Sequence, residues 1–185
     1  MKTETIFYRL FQTFPSIFFE LINHSPEEAA NYQFSSVEIK QLAFRIDGVF
    51  LPSLETPEQP IYFLEVQFQA DEKFYSRFFA EIFLYLDKTE LTNDWRGVVV
   101  YPSRSVESTK TSRYQELLDS QLVSRIYFDE LGSTTAQSIG IETVKLVIEP
   151  EANAGIRARE LINQARQDIA NVKAKQELIQ LSKQS

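Results

Sequence analysis

Two short stretches of the chain carry side chains whose spacing could assemble a metal site. In Arg45-Ile46-Asp47 the charged residues are two apart, and in Glu65-Val66-Gln67-Phe68-Gln69 the polar residues are again two apart. Side chains alternate along a β-strand, so each set falls on one side of a sheet. If the two strands are neighbours, Asp47 and Glu65 bring two carboxylates to one point, beside a backbone carbonyl such as that of Val66. Oxygen donors of this kind suit Mg2+ or Mn2+. A cation held there polarises a phosphoryl oxygen and lowers the pKa of water, giving a nucleophile near neutral pH. Two acids on neighbouring strands also describe a solvated or ion-paired surface. The setting of Glu65, Phe-Leu-Glu-Val-Gln-Phe, favours the metal, because a carboxylate among apolar neighbours is costly to bury without a cation or hydrogen-bond partner.

The elements that must position these residues can be read from the periodicity. Phe7, Leu10, Phe11, Phe14, Phe18 and Leu21 recur at helical steps over Thr5 to Ile22, with Pro15 predicting a break near Phe14. Ser25-Pro26-Glu27-Glu28 has the form of a helix start. From Phe34 the period becomes two, through Val37, Ile39, Leu42, Phe44 and Ile46. Pro52 to Pro60 reads as a loop between strands, and Ile61 to Gln69 as a strand with a central, apolar first half. Asp71 opens a helix through Phe74, Phe78, Ile82 and Tyr85. Trp95 to Tyr101, Val123 to Phe128 and Val144 to Ile148 read as further strands. Residues 1–150 form one expected domain, and 151–185, rich in Glu, Lys, Arg, Gln and Ala, a C-terminal helical extension of one long helix or two short ones. The predicted fold is α/β, a mixed sheet with helices on its faces.

Composition narrows the chemistry. The 185 residues hold no cysteine, so disulfides, zinc-thiolate sites and cysteine nucleophiles are excluded. Fifteen Phe and eight Tyr supply a large core. A net charge of −7 weighs against a nucleic-acid partner but is compatible with a local basic rim. No apolar run is long enough to span a bilayer, and the expected location is the cytoplasm. The one histidine, His24, has no Ser or Cys partner in a recognisable catalytic arrangement and reads as a surface or capping residue. Trp95 reads as core.

Arg45-Ile46-Asp47-Gly48-Val49-Phe50, followed by Phe63-Leu64-Glu65-Val66-Gln67-Phe68-Gln69, resembles the Asp…Glu-x-Gln variant of the PD-(D/E)XK nuclease motif. Phe74-Tyr75-Ser76-Arg77, Tyr85-Leu86 and Tyr101-Pro102-Ser103 are similar to the recombination-promoting nuclease (Rpn-like, transposase-associated) family of that superfamily. The resemblance spans roughly Thr3 to Arg166. It implies a restriction-endonuclease-like αβββαβ core and a Mg2+- or Mn2+-dependent endonuclease acting on DNA, linked to recombination or mobile elements. It further implies Asp47 and Glu65 as metal ligands, with the Val66 carbonyl. Gln67 stands in the place usually held by lysine, where it could orient water or a phosphate oxygen. Glu20 matches an additional acidic ligand, and an exposed acid near a helix end fits it equally well. Arg77 and Tyr75 are candidate DNA contacts, although an Arg77 ion pair with Glu81 one turn on is the favoured alternative. Arg45 and Lys40 are further candidates, Arg45 also as a counter-charge to the acids.

The missing lysine and the acidic balance keep a second class open, an inactive nuclease fold serving as a DNA- or protein-binding module. A third is an oligomerising partner acting through its C-terminal helices, and a homodimer suits any nuclease that cuts both strands.

Overall fold

The computed structural model describes residues 3–39, 44–132 and 138–182. The chain falls into two compact units, Met1–Gly132 and Ser133–Ser185.

The first unit is built on a five-stranded sheet in sequence order. Its strands are β1 (Tyr32–Ile39), β2 (Phe44–Pro52), β3 (Ile61–Val66), β4 (Trp95–Tyr101) and β5 (Val123–Tyr127). The pairs β1–β2 and β2–β3 are antiparallel, whereas β3–β4 and β4–β5 are parallel. Parallel neighbours need crossovers. Helix α3 (Phe74–Lys88) makes the first, and a segment containing the short α4 (Gln115–Asp119) makes the second. Before the sheet come α1 (Thr3–Thr13) and α2 (Ser16–Leu21). The α/β class and the order helix, three strands, helix, strand therefore match the expectation.

Aromatic burial explains how the layers hold. Pro15 cannot donate to the helical ladder and separates α1 from α2. Asn23, at φ 59°, then turns the chain out of α2. Phe7, Phe11, Phe18 and Phe19 are fully buried along these helices. Phe18 stacks on Phe50 of β2, ring centres 4.1 Å apart, and meets Tyr62 of β3 edge-on at 5.4 Å. On α3, Phe74, Tyr75, Phe78, Phe79 and Ile82 share a buried cluster with Ile61, Phe63, Val99 and Tyr101 of the sheet. All six residues of β3 are buried, as a strand covered on both faces requires.

Strand β2 carries an irregularity. Ile46 pairs with Val37 and Val49 with Ser35, so three steps on β2 match two on β1. The extra residue falls at Asp47–Gly48. Ile46 and Val49, which strict alternation would place on opposite faces, are accordingly buried in the same cluster. Gly48 is required here by packing: a Cβ would stand 2.8 Å from Cε2 of Phe34.

Two expected elements change. Strand β3 ends at Val66, leaving Gln67 and Gln69 beyond it. Val144, read as the start of a strand, lies in helix α5 (Ile139–Leu146), where the Ser138 hydroxyl accepts the Ile141 N–H at 3.2 Å and caps the first turn.

The second unit comprises α5 and α6 (Glu151–Ser182), one helix of 32 residues. Arg157 of α6 reaches Glu142 of α5 at 2.6 Å. Ile156 and Ile162 of α6 are exposed. Among the described residues no helix is long and apolar enough to cross a membrane.

Candidate functional site

Glu65 lies next to the end of β3, level with Val99 of β4, and is only 8% exposed. The β2–β3 ladder pairs Phe50 with Tyr62, Val49 with Phe63 and Gly48 with Leu64. Asp47 and Glu65, the two acids singled out by spacing, are the next residues beyond that last pair on the two adjacent strands. The side chains of Asp47 and Arg45, and the whole of Lys40, lie outside the described residues.

The opposite charge near Glu65 comes from α3. Arg77 donates to Asp71 at 2.5 Å, and its Nε lies 4.0 Å from Oε1 of Glu81, which is 3% exposed. Burial acts to lower the Arg77 pKa. The Asp71 hydrogen bond and the charges of Glu65, Asp71 and Glu81 outweigh it and hold the guanidinium above its ordinary value. Asp71 is in turn held below the usual carboxylate range, first by the Lys73 backbone N–H, 2.9 Å away, and then by Arg77. Arg77 is thus an ion-paired residue of this cluster, as its favoured alternative predicts.

The remaining candidates are dispersed. Gln67 extends the ladder by donating its N–H to the Val100 carbonyl at 2.9 Å, while its side-chain amide donates to the Gln69 carbonyl. Val66 is buried between β2 and β4. Glu20 sits half-buried on α2. His24 is an exposed residue, 3.1 Å from Glu28. Among the described residues no group of three or more His, Cys, Asp or Glu side chains is arranged to hold a metal ion. The donors that Mg2+ would require are carboxylate oxygens, which fits the chemistry of Glu65 and Asp47.

Residues 3–184 match the model of the family described as "Protein of unknown function (DUF2887)". The chain belongs to this family. No curated protein and no solved structure gives a match. Besides Glu65 and the Arg77 ion pairs, the structure holds a second polar cluster.

That second cluster centres on Glu107, in the segment between β4 and α4. Tyr75 of α3 donates to its carboxylate at 2.5 Å, Tyr127 of β5 donates to its other oxygen, and Arg125 approaches at 3.2 Å. The Tyr101 hydroxyl donates to that of Tyr75 at 3.3 Å. Burial pushes the Glu107 pKa up, but the two hydroxyls and Arg125 more than offset it and hold the carboxyl below its ordinary value. Burial and the neighbouring carboxylate push Tyr127 up to about 12. Tyr75 is 1% exposed, so its hydroxyl serves this network within the fold and not the protein surface. The sequence gives one hint of the cluster, since Tyr101 and Tyr127 close two successive strand patterns and turn out to be ladder partners. Glu107 lies in an aperiodic segment with no signal of its own.

Proposed function

We propose that this DUF2887 protein is a metal-dependent DNA endonuclease that hydrolyses phosphodiester bonds. What supports the proposal is that Asp47 and Glu65 are the next residues on β2 and β3 beyond their last ladder pair, Gly48 with Leu64, where β2 gains an extra residue. Bulges of this kind re-aim a side chain and are frequent beside active sites. The end of β3 where Glu65 lies is the carboxyl end of the parallel strands, the edge at which open α/β sheets bind ligands. Asp47 and Glu65 would hold Mg2+ or Mn2+, with the Val66 carbonyl and Glu20 as further oxygen donors. The ion, when bound, supplies Lewis acidity toward the phosphate and a lowered pKa for water. Arg77 keeps the acidic cluster from accumulating unbalanced charge, and Gln67 offers an amide near the strand end. The resemblance to recombination-associated nucleases supports DNA as substrate, the cytoplasm as location and a homodimer for cutting both strands.

The test is cleavage of supercoiled plasmid in Mg2+, Mn2+ or EDTA by the wild type, Asp47→Ala and Glu65→Ala. Metal-dependent cutting lost in both variants is the expected result. A folded wild type that cuts with neither metal refutes the enzyme.

A second reading, a non-catalytic DNA- or protein-binding module, draws on two observations. Arg77 supplies a protein cation in the electrostatic field of Glu65, and the Gln67 amide is already bonded to Gln69. Thermal melts separate the readings. A bound ion raises the melting temperature only if the folded state holds it, and Asp47→Asn should remove that rise.

A further inference from the structure

Between the start of α3 and the segment 109–114 the surface opens into a groove of about 570 Å³. Lys73 and Ser76 line one wall, and Thr109, Ser112 and Arg113 line the other. Three contacts fix the walls in place. The buried Ser108 hydroxyl donates to the Glu72 carbonyl at 3.3 Å and accepts the Lys110 N–H at 3.2 Å. The Lys110 ammonium pairs with the Glu72 carboxylate. The Tyr114 ring packs on Phe79 of α3, centres 5.1 Å apart. Glu72 is therefore neutralised within the rim. The side chains of Lys73 and Arg113 enter no ion pair among the described residues and are exposed. The chain is acidic as a whole, at −7, so two unpaired cations converging with three hydroxyls form a local exception.

We infer that this groove binds the phosphodiester backbone of DNA, presenting Lys73 and Arg113 as phosphate contacts and Ser76, Thr109 and Ser112 as hydrogen-bond donors. The inference rests on the nuclease reading. Hydroxyls and cations on fixed walls are the residue types that take phosphate oxygens without reading bases. The groove is also rightly placed. Arg77, which feels the charge of Glu65, follows Lys73 by one turn of α3, a rise of about 6 Å. Seven residues separate the end of β3 at Val66 from the start of α3 at Phe74, so the groove lies near the edge of the sheet where Glu65 stands. Ser76 and Arg113 lie outside the carboxylate cluster, and Lys73 bonds to it through the backbone N–H that Asp71 accepts.

The experiment is fluorescence anisotropy of a labelled DNA duplex in EDTA, where nothing is cut, as a function of salt. The proteins are the wild type, Lys73→Gln/Arg113→Gln and the charge-preserving Lys73→Arg/Arg113→Lys, with melts confirming that each is folded. Each lost phosphate contact should flatten the slope of log affinity against log salt by about 0.9. The Gln pair should therefore lower the slope by roughly 2 and weaken binding at least about tenfold at low salt. The charge-preserving pair should keep both. Unchanged slope and affinity in the Gln pair overturn the inference, as does a wild type that binds no duplex. Plasmid cutting distinguishes this failure from that of the nuclease. Cutting by the wild type with an unaltered slope in the Gln pair sinks the groove alone. Groove-dependent binding by a wild type that never cuts sinks the nuclease alone.

Discussion

Replacing Glu107 by alanine removes the common acceptor of Tyr75, Tyr127 and Arg125. Hydrogen bonds to a charged group contribute about 1.5–3 kcal/mol each where water is excluded. The two tyrosine hydroxyls lie on that buried side, since the Glu107 side chain is 13% exposed. Arg125 is 34% exposed, so screening reduces its share to about 0.5–1 kcal/mol. At the lower end of these ranges the sum is a loss of about 4 kcal/mol, or roughly 10 °C in melting temperature for a chain of this size. The sign of the pH dependence follows from the direction of the shift. The Glu107 pKa is lowered on folding below that of an ordinary glutamate, so its contribution is complete above the unfolded pKa and disappears as pH falls through the folded one. Circular-dichroism melts of wild type and Glu107→Ala at pH 7 should differ by about 10 °C, and the gap should narrow at pH 3. Tyr127→Phe in a double-mutant cycle should show coupling to Glu107 of about 1.5 kcal/mol. A difference under about 2 °C at pH 7, or a gap that does not change with pH, would refute the reasoning.

Gly48→Ala should cost about 1–3 kcal/mol in denaturant unfolding, because the new methyl meets Phe34 at 2.8 Å while that ring is held against Phe50, centres 4.8 Å apart. An unchanged midpoint would show that Phe34 yields freely. Arg77→Met leaves Asp71 and the buried Glu81 without their cation and should destabilise by about 2 kcal/mol at pH 7, the exposed part of the guanidinium reducing the effect. The deficit should shrink only as pH falls below the ordinary aspartate range, where Asp71 takes up its proton, and a loss that is the same at pH 7 and at about pH 2.5 would contradict the pairing.

Hydrophobic spacing carried most of the first unit. The helical recurrence of Phe7, Phe11 and Phe18 and the break at Pro15 are both present, and β4 has the limits that Val98-Val99-Val100 suggested. Alternation alone could not locate the end of β3. Gln67-Phe68-Gln69 continues the pattern, but Phe68 turns to pack on Phe7 and Phe128 outside the ladder. Val144 to Ile148 misled because its branched residues favour strands, while the deciding signal was the Ser138 cap six residues earlier. The adjacency of the strands that carry Asp47 and Glu65 was legible because they lie close in the chain. The Glu107 network was not, since its members come from α3, β4, β5 and a connecting segment, and no local pattern links Tyr75 to residues 26 to 52 positions away.

The change from antiparallel to parallel pairing at β3 divides the sheet by how far the chain must travel to build it. Strands β1 to β3 form a meander whose pairs join near neighbours, so little loop entropy opposes their closure. Strands β4 and β5 join only after long excursions through α3 and α4, the kind of contact that slows folding. Asp47 and Glu65 both belong to the local half, whereas the burial of Glu65 depends on the distant half. The strands that carry the two acids are paired by the part of the chain that finds its register most cheaply, and the surroundings of Glu65 are completed by the part that arrives last.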